Sequence, residues 1–414
     1  MSPSYALALL AVTNLLSYVV RSVVFALFEP LKHDLHLADA QLGWLASAYV
    51  LAFSLAALPA GVLGDLRSRR GVIVGGVLLW SLFTLASGFV TGFGWLVVCR
   101  ALVGAGAAAF GAAAQSLVAD YYPSRGRAVA MGILAVGITL GGVLGIWLGG
   151  HLEAGYGWRM ALVAVSLPGF AVAALSTRLP DPRRRPAVPL RAWLRTGLNA
   201  VSNNIVPPLR AVLHTPTLVY VFIGGALISF GTNGLVGWAP TFMARELELS
   251  VAEGARLLGT YGLVAGITGA LAGGFIADWL RRFTVLGRVI TISVGLLTGG
   301  SLAVWLLTVR DLDLFVPVFC AAFFFLSWFN GPIAATIFDV VPARISATVA
   351  GAYLLFIHLA GDTVAFPLVG VLSDRFGLQR AVLLLPVVAS LGGIVVLGAL
   401  RTLVRDMERV QSAA

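Results

Sequence analysis

Twelve long apolar segments are the feature of this sequence that most limits what it can fold into. A helix needs roughly 20 apolar residues to cross a hydrocarbon core about 30 Å thick, and each segment is about that long or longer. Only 11% of the 414 residues are charged, whereas soluble domains have about 25%. The sequence therefore predicts an all-α membrane protein with twelve transmembrane helices. These lie near residues 5–28, 41–63, 72–90, 95–119, 128–152, 158–178, 216–242, 252–279, 285–308, 313–338, 345–372 and 379–404.

Basic residues concentrate in alternate loops and give a net charge of +10. By the positive-inside rule, both termini and the long loop 179–214 face the cytoplasm, and we expect the inner membrane of a bacterium. Because topology accounts for the charge, we expect no nucleic-acid partner. Cys99 and Cys320 lie in apolar segments without metal-type spacing, so we expect no metal and no other cofactor. We expect a monomer surrounded by membrane lipids.

The second half of the chain repeats landmarks of the first. "GVLGDLRSRR" at 61–70 matches "GFIADWLRRF" at 274–283, and "DYYPSRGRAVAMG" at 120–132 matches "DVVPARISATVAG" at 339–351. A third echo sets "GYGWR" against "RFGLQR". Repeats at equivalent helix junctions predict two pseudo-symmetric six-helix halves, an arrangement that suits alternating access.

The repeat divides the chain into three parts. We predict an N-terminal six-helix bundle over 1–178, a cytoplasmic linker over 179–214 and a C-terminal six-helix bundle over 215–414. The linker is rich in Pro and Arg, and its 189–200 portion has the pattern of an amphipathic helix on the membrane surface.

Three stretches of this sequence resemble signature motifs of the major facilitator superfamily of transporters. They are "GDLRSRR" after segment 2, "RALVGAGAAA" at 100–109 and the glycine-rich "GITLGGVLGIWLGG" at 137–150, where the family's proline is missing. The resemblance implies the major facilitator fold and a cytoplasmic gate whose aspartates and arginines pair and separate. The gate residues that it implies are Gly61, Asp65, Arg69, Arg70, Asp278, Arg281 and Arg282.

Within that superfamily the chain resembles the Spinster branch, whose members move lysophospholipids and sphingosine phosphates. The likeness is carried by "EPLKHDL", "GLVGWAPTFMAREL" and "IHLAGDTVAFPLVGVLSD". It implies secondary active or facilitative transport of an amphipathic lipid with an anionic head, such as a lysophospholipid. The branch has an acid just before Arg21 and another seven residues after Arg100, where this chain has Val20 and Ala107. The basis for proton coupling in the first half is therefore missing.

Once residues near the predicted helix ends are set aside, the charged residues and histidines left within the spans are Arg21, Arg100, His358 and Asp362. A charge at a helix centre costs about 2.5–3.5 kcal/mol on insertion scales, so each is a candidate functional residue. We interpret Arg21 and Arg100 as substrate-binding, because a planar guanidinium binds phosphate or carboxylate bidentately. The alternative for both is a structural ion pair or a side chain that reaches to the interface.

His358 and Asp362 stand four residues apart in segment 11. A helix places such residues on one face about a turn apart, so a hydrogen bond between them is available. At the repeat offset "IHLAGD" (357–362) lies opposite "ITLGGV" (138–143), so both groups are additions to a common frame. We interpret the pair as a proton-coupling site or an ion-pair switch. A mutually satisfied structural pair is the alternative.

Tyr49, Asn233, Trp328 and Asn330 are further mid-span candidates for substrate binding. In the family that the chain resembles, segments 1, 4, 7 and 10 line the central cavity. "WFNGP" in segment 10 and "FGTNG" in segment 7 predict matching helix breaks, which point to a binding site. Each residue alone is as compatible with helix packing.

Other function classes have little support in the sequence. GxxxxGK[ST], HExxH and GxSxG do not occur, so an ATP-driven pump or a membrane enzyme is disfavoured and no catalytic residue is assigned. A channel is disfavoured because gate-like motifs stand in both halves. A transporter of a small organic anion or a drug-like compound stays open as an alternative. Proton symport, proton antiport and facilitated diffusion also stay open.

Overall fold

The regular elements of the chain are helices throughout the described residues. The computed structural model describes residues 3–66, 68–122, 126–181 and 212–412. Within these ranges eleven helical stretches are long and apolar enough to cross a membrane. One of them, Val129–Ser176, has 48 residues and covers the fifth and sixth predicted segments. The twelve-helix layout expected from hydropathy is therefore confirmed. The predicted amphipathic helix 189–200 lies outside the described residues.

Within each half, the helices follow one another along the chain with short connections. The first half contains α1 (Pro3–Ala26), α2 (Phe28–Leu35), α3 (Asp39–Leu66), α4 (Arg69–Ser87), α5 (Phe93–Tyr121) and α6 (Arg127–Ser176). The second half contains α7 (Pro216–Glu246), α8 (Val251–Leu257), α9 (Leu263–Leu280), α10 (Gly287–Leu306), α11 (Leu312–Leu326), α12 (Asn330–Asp339), α13 (Ala343–Ile357), α14 (Thr363–Phe376), α15 (Leu378–Leu397) and α16 (Leu403–Ser412). Two π turns join helices, Leu258–Gly262 between α8 and α9 and His358–Asp362 between α13 and α14.

Two glycines make equivalent sharp turns in the two halves. Gly157 bends α6 between the fifth and sixth segments with φ 77° and ψ 163°. Gly377 separates α14 from α15 with φ 85° and ψ 152°. Only glycine adopts such angles without strain. The third sequence echo, "GYGWR" against "RFGLQR", therefore marks the same backbone event twice.

The chain forms two compact units. One comprises Met1–Val201 with Leu249–Gly259, and the other comprises Ser202–Glu248 with Thr260–Ala414. Residues 249–259, which sequence analysis places in the second half, cluster with the first unit. There α8 packs on α6, with Gly150 against Val251 and Ala255.

Small residues bring the helices of the first unit close together. A Cβ on Gly141 of α6 would lie 2.8 Å from the Cβ of Tyr18 on α1, which is closer than real side chains approach.

The short helix α2 is attached to α6 by Asp34, which accepts hydrogen bonds from Arg159 and from Trp158 Nε1. The Arg159 guanidinium beside Asp34 lowers the pKa of that carboxyl.

One of the two predicted helix breaks exists. The tenth segment is interrupted between Leu326 and Asn330, so the prediction from "WFNGP" is confirmed. The break predicted from "FGTNG" is wrong, because α7 runs without interruption from Pro216 to Glu246. Its glycines serve packing, since a Cβ on Gly231 would lie 2.6 Å from the Cβ of Ala389 on α15.

Candidate functional site

Asp362 is fully buried at the centre of a polar cluster in the second unit. Its Oδ1 accepts hydrogen bonds from Ser229 Oγ and from Asn233 Nδ2, the latter at 2.9 Å. Its Oδ2 lies 2.7 Å from Nδ1 of His358. The hydrogen bond predicted from the four-residue spacing is confirmed. Asn233, a candidate substrate contact from sequence, is placed on this carboxylate.

The π turn His358–Asp362 and one glycine position this cluster. Gly361 faces α7 so closely that a Cβ there would lie 2.6 Å from the carbonyl oxygen of Ala226 and 3.0 Å from the Cβ of Ser229. With no side chain at Gly361, the π turn lies against α7, and the next residue, Asp362, reaches Ser229 and Asn233. π turns inside helices are frequently found at functional sites.

The π turn also corrects the alignment of the two halves. Asp120 and Asp339 are 219 residues apart, whereas Gly157 and Gly377 are 220 apart. A π turn inserts one residue into a helix, and the turn at 358–362 lies between these landmarks. With the inserted residue counted, Asp362 at the end of the turn stands opposite Gly142, and not opposite Val143 as a constant offset indicates.

The members of the cluster differ in their exposure. His358 keeps 23% of its side chain exposed, whereas Asp362 has none. Tyr353, one turn before the π turn, is 5% exposed and lies within electrostatic range of Asp362. Ser229 was missed by sequence reasoning. Its spacing of four residues from Asn233 places both on the same face of α7, and this spacing could have identified it.

Arg21, Arg100 and Tyr49 come together in the first unit. The guanidinium of half-buried Arg21 lies over the rings of Tyr18 and Tyr49, 5.7 and 5.8 Å from their centroids. That of Arg100 lies 5.1 Å from the centroid of Tyr49. Such distances are those of cation–π contacts. The three predicted substrate-binding residues on α1, α3 and α5 therefore form one group.

The two arginines differ in what they bind. Arg100 is 2% exposed and donates from Nη1 to the carbonyl of Val20 and from Nη2 to the carbonyl of Arg21, both at 3.1 Å. Its guanidinium is thus hydrogen-bonded to the backbone of α1. Arg21 is the more accessible of the two cations.

A cavity of about 290 Å³ lies beside this group. Its polar lining comes from Asn14, Ser17, Tyr18 and Gln115, and its apolar lining includes Phe53 and Ile138. Tyr18 lines the cavity and also contacts the guanidinium of Arg21. A mixed polar and apolar lining suits a small part of an amphipathic molecule.

Trp328 and Asn330 serve the broken tenth segment. The Trp328 ring packs against Phe325, with centroids 5.0 Å apart, and against Phe324 at 6.0 Å. The exposed Asn330 donates from Nδ2 to the carbonyl of Ser327 at 3.0 Å. Both contacts stabilise the turn between α11 and α12, and neither by itself indicates a ligand.

An arginine–aspartate pair stands at equivalent positions of the two units, and of its four members the gate prediction included Arg69. Arg69 donates to the carboxylate of Asp120 and, at 3.1 Å, to the carbonyl of Ser116. Arg288 donates to Asp339 and, at 3.4 Å, to the carbonyl of Ala335. Each of the three positions is 219 residues from its counterpart. Sequence reasoning missed Arg288, which the offset applied to Arg69 would have found.

The remaining gate residues differ in their contacts. Arg281 donates to both oxygens of Asp339 at 3.0 and 2.9 Å, and Asp278 lies 3.5 Å from Arg288. The backbone N–H of Arg70 donates to Asp181 at 3.3 Å, and that of Arg282 to the carbonyl of Trp279 at 3.1 Å. Gly61 is open enough to accept a Cβ, with no atom within 4 Å. The side chain of Asp65 lies outside the described residues.

Comparison with known proteins gives one consistent family. The family profile described as Major Facilitator Superfamily matches residues 10–361. Protein spinster homolog 1 of Homo sapiens is 28% identical over 98% of this chain and 82% of its own length. The sphingosine-1-phosphate transporter SPNS2 of Xenopus tropicalis is 25% identical over 98% of this chain and 83% of its own.

Solved structures share the fold. A bacterial homolog of the human lysosomal transporter Spinster, inward-facing and unoccupied, superposes with a TM-score of 0.84 at 23% identity, covering 98% of each chain. The xylose transporter XylE from E. coli, in an inward-open conformation, superposes with a TM-score of 0.72 at 13% identity and covers 99% of each chain. The family and these structural neighbours are transporters rather than enzymes.

Proposed function

This chain belongs to the Major Facilitator Superfamily and is related to Spinster transporters, and on that premise we propose that it moves an amphipathic lipid with an anionic head, such as a lysophospholipid, by alternating access. The observation that carries this proposal is the position of Arg21. Its guanidinium is half-buried in a predicted span, over Tyr18 and Tyr49. Such a cation can bind a phosphate oxygen pair bidentately.

The surroundings of Arg21 support an amphiphile. The adjoining cavity offers neutral hydrogen-bonding groups at Asn14 and Gln115 and apolar walls at Phe53 and Ile138. A glycerol or amide group would suit the former and the start of an acyl chain the latter. A relative carries the name of a sphingosine-1-phosphate transporter, which fits the same chemistry of a phosphate on an apolar chain. Tyr49, Asn330 and Trp328 remain proposed substrate contacts.

We further propose that Asp362 and His358 couple transport to protons. The pair can hold one proton in a hydrogen bond across 2.7 Å, and Ser229 and Asn233 supply donors that stabilise the ionised carboxylate. A buried acid inside a span is a frequent proton carrier in transporters. Because Val20 and Ala107 replace the acids of the first half, this pair is the proposed site.

The proposed setting is the inner membrane of a bacterium, with both termini in the cytoplasm and a monomer as the working unit. The arginine-rich loops support this orientation. The pairs Arg69–Asp120 and Arg288–Asp339 then lie on the cytoplasmic side and act as latches of the gate.

Flux of labelled lysophospholipid into proteoliposomes tests the function. We expect uptake that Arg21→Gln lowers at least tenfold, since the guanidinium is the proposed head-group ligand. An imposed pH gradient should change the rate if the pair at His358 couples protons, and leave it unchanged for facilitated diffusion. Uptake of a small organic anion without uptake of any lysolipid would overturn the lipid proposal.

A further inference from the structure

Arg100 makes contacts that suit a supporting role. It donates one hydrogen bond each to the carbonyl oxygens of Val20 and Arg21, both at 3.1 Å. In an α-helix these carbonyls already accept from the N–H groups four residues on, and their second lone pairs are available. Arg100 on α5 thus binds the backbone of the α1 turn that carries Arg21.

The surroundings hold Arg100 in this position. One turn along α5, Gly104 lets that helix approach α3 at Tyr49, where a Cβ on Gly104 would lie 3.1 Å from the Cα of Tyr49. The Tyr49 ring then lies 5.1 Å from the Arg100 guanidinium. Three helices, α1, α3 and α5, therefore meet at this one cation.

Access separates Arg100 from a head-group ligand. Arg100 and Val20 are each 2% exposed. The Nε of Arg100 is also buried, and it has no hydrogen-bond partner among the described residues. Each Nη keeps a second N–H beside the one that binds a carbonyl, but at 2% exposure the side chain is closed off from a substrate phosphate. Arg21, by contrast, is half-buried and lies over the rings of Tyr18 and Tyr49.

We propose that Arg100 is a positioning residue, which holds the backbone of residues 20 and 21 so that the Arg21 guanidinium stands over Tyr49, and that it does not itself bind the transported head group. This inference rests on the proposed function, in which Arg21 holds an anionic head. This role requires two N–H groups in a fixed geometry, one for each of the carbonyls of Val20 and Arg21. Lysine keeps the charge but cannot present two N–H groups in a fixed fork.

The first arm of the test needs no substrate. Amide hydrogen exchange of the purified protein is compared for wild type, Arg100→Lys, Arg100→Gln and the neighbouring control Cys99→Ala. We expect the amides of residues 24–26, whose helical bonds end on or beside the held carbonyls, to exchange at least threefold faster in both Arg100 variants and unchanged in the control. Exchange at the wild-type rate in both would overturn the proposal.

The second arm measures lysophospholipid flux. Arg100→Lys and Arg100→Gln should raise KM by a similar factor, about fivefold, with kcat nearly retained. In an Arg21→Gln background either change should add less than twofold, because its effect passes through Arg21. If the effects of the Arg100 and Arg21 substitutions on KM were additive, Arg100 would bind the head group directly. The same would follow if Arg100→Lys kept the wild-type KM while Arg100→Gln did not. If the wild type moves no lysolipid, the proposed function fails and the exchange arm alone decides the role of Arg100.

Discussion

Asp362 shows at the scale of single residues how a carboxylate is accommodated inside a span. A lone charge there costs about 2.5–3.5 kcal/mol on insertion scales, and three side chains from two helices compensate it. Ser229 and Asn233 donate hydrogen bonds to one carboxylate oxygen, and His358 is hydrogen-bonded to the other. His358 is the more exposed member of the pair, so in the proposed coupling role its ring is where a proton would enter.

Replacing Asp362 by Asn tests the coupling role of the carboxylate. The amide keeps the size of the side chain but cannot carry the charge, so we expect flux driven by a pH gradient to fall at least tenfold. Asp374→Asn, at an exposed position of α14, the helix that follows the π turn, should transport like the wild type. Wild-type rate and pH dependence in Asp362→Asn would show that the pair is purely structural.

Ser229→Ala removes one donor from the buried carboxylate. An unsatisfied buried polar group costs about 1–3 kcal/mol, and more where it is charged, so we expect the free energy of unfolding in detergent to fall by at least about 1 kcal/mol. Ser301→Ala, at an exposed position of α10, is the control and should change nothing. Equal stability of both variants would contradict a stabilising hydrogen bond from Ser229 to Asp362.

At the scale of elements, the π turn His358–Asp362 decides which side chains meet. It adds one residue to the frame shared with α6, and Gly361 allows the resulting backbone to lie on α7. The corresponding contact of the first unit is that of Gly141, a residue of α6, with α1. A glycine thus allows close helix packing at both contacts. Of the two, the contact at Gly361 also has the extra residue of the π turn and the polar cluster.

Gly361→Ala should separate the π turn from α7. The added Cβ would meet the Ala226 carbonyl at 2.6 Å, and overpacking costs about 1–3 kcal/mol. We expect a lower unfolding temperature together with a loss of pH-dependent transport. Gly351→Ala on α13 is a matched control, because a Cβ there has no neighbour within 4 Å. A Gly361→Ala variant as stable and as active as this control would contradict the proposed geometry.

At the scale of the whole molecule, one arginine–aspartate arrangement, the proposed latch, occurs twice. Arg69 with Asp120 and Arg288 with Asp339 occupy equivalent places, and each arginine also reaches a carbonyl one turn before its aspartate. The second copy differs because Arg281 joins Asp339. Duplication with this variation fits two halves built on one repeated pattern.

Asp339→Asn should weaken the second latch more than Asp278→Asn. Asp339 holds two arginines, and hydrogen bonds to charged groups contribute about 1.5–3 kcal/mol, so we expect a loss of about 2 kcal/mol in unfolding free energy and several-fold slower transport. Asp278 is 73% exposed and 3.5 Å from Arg288, and such pairs contribute about 0–1 kcal/mol. Chemical denaturation of the two variants side by side measures the difference, and equal losses would refute it.

The sequence by itself determined the membrane class, the twelve helices, the internal repeat and the contact between His358 and Asp362. These features depend on hydropathy, on helical period and on residues close in the chain, all of which are local. The break in segment 10 was predictable for the same reason. The break predicted in segment 7 was wrong because its glycines face α15, a partner that no local pattern identifies.

Only the tertiary structure decided which residues from separate helices meet. Ser229 and Asn233 reach Asp362, and Arg100 reaches two carbonyls of α1, because close contacts at Gly361 and Gly104 set the register between helices. A shift of one residue, such as the π turn supplies, moves a side chain by about 100° around a helix. Partner choice therefore depends on packing between segments far apart in the chain, which hydropathy and spacing do not encode.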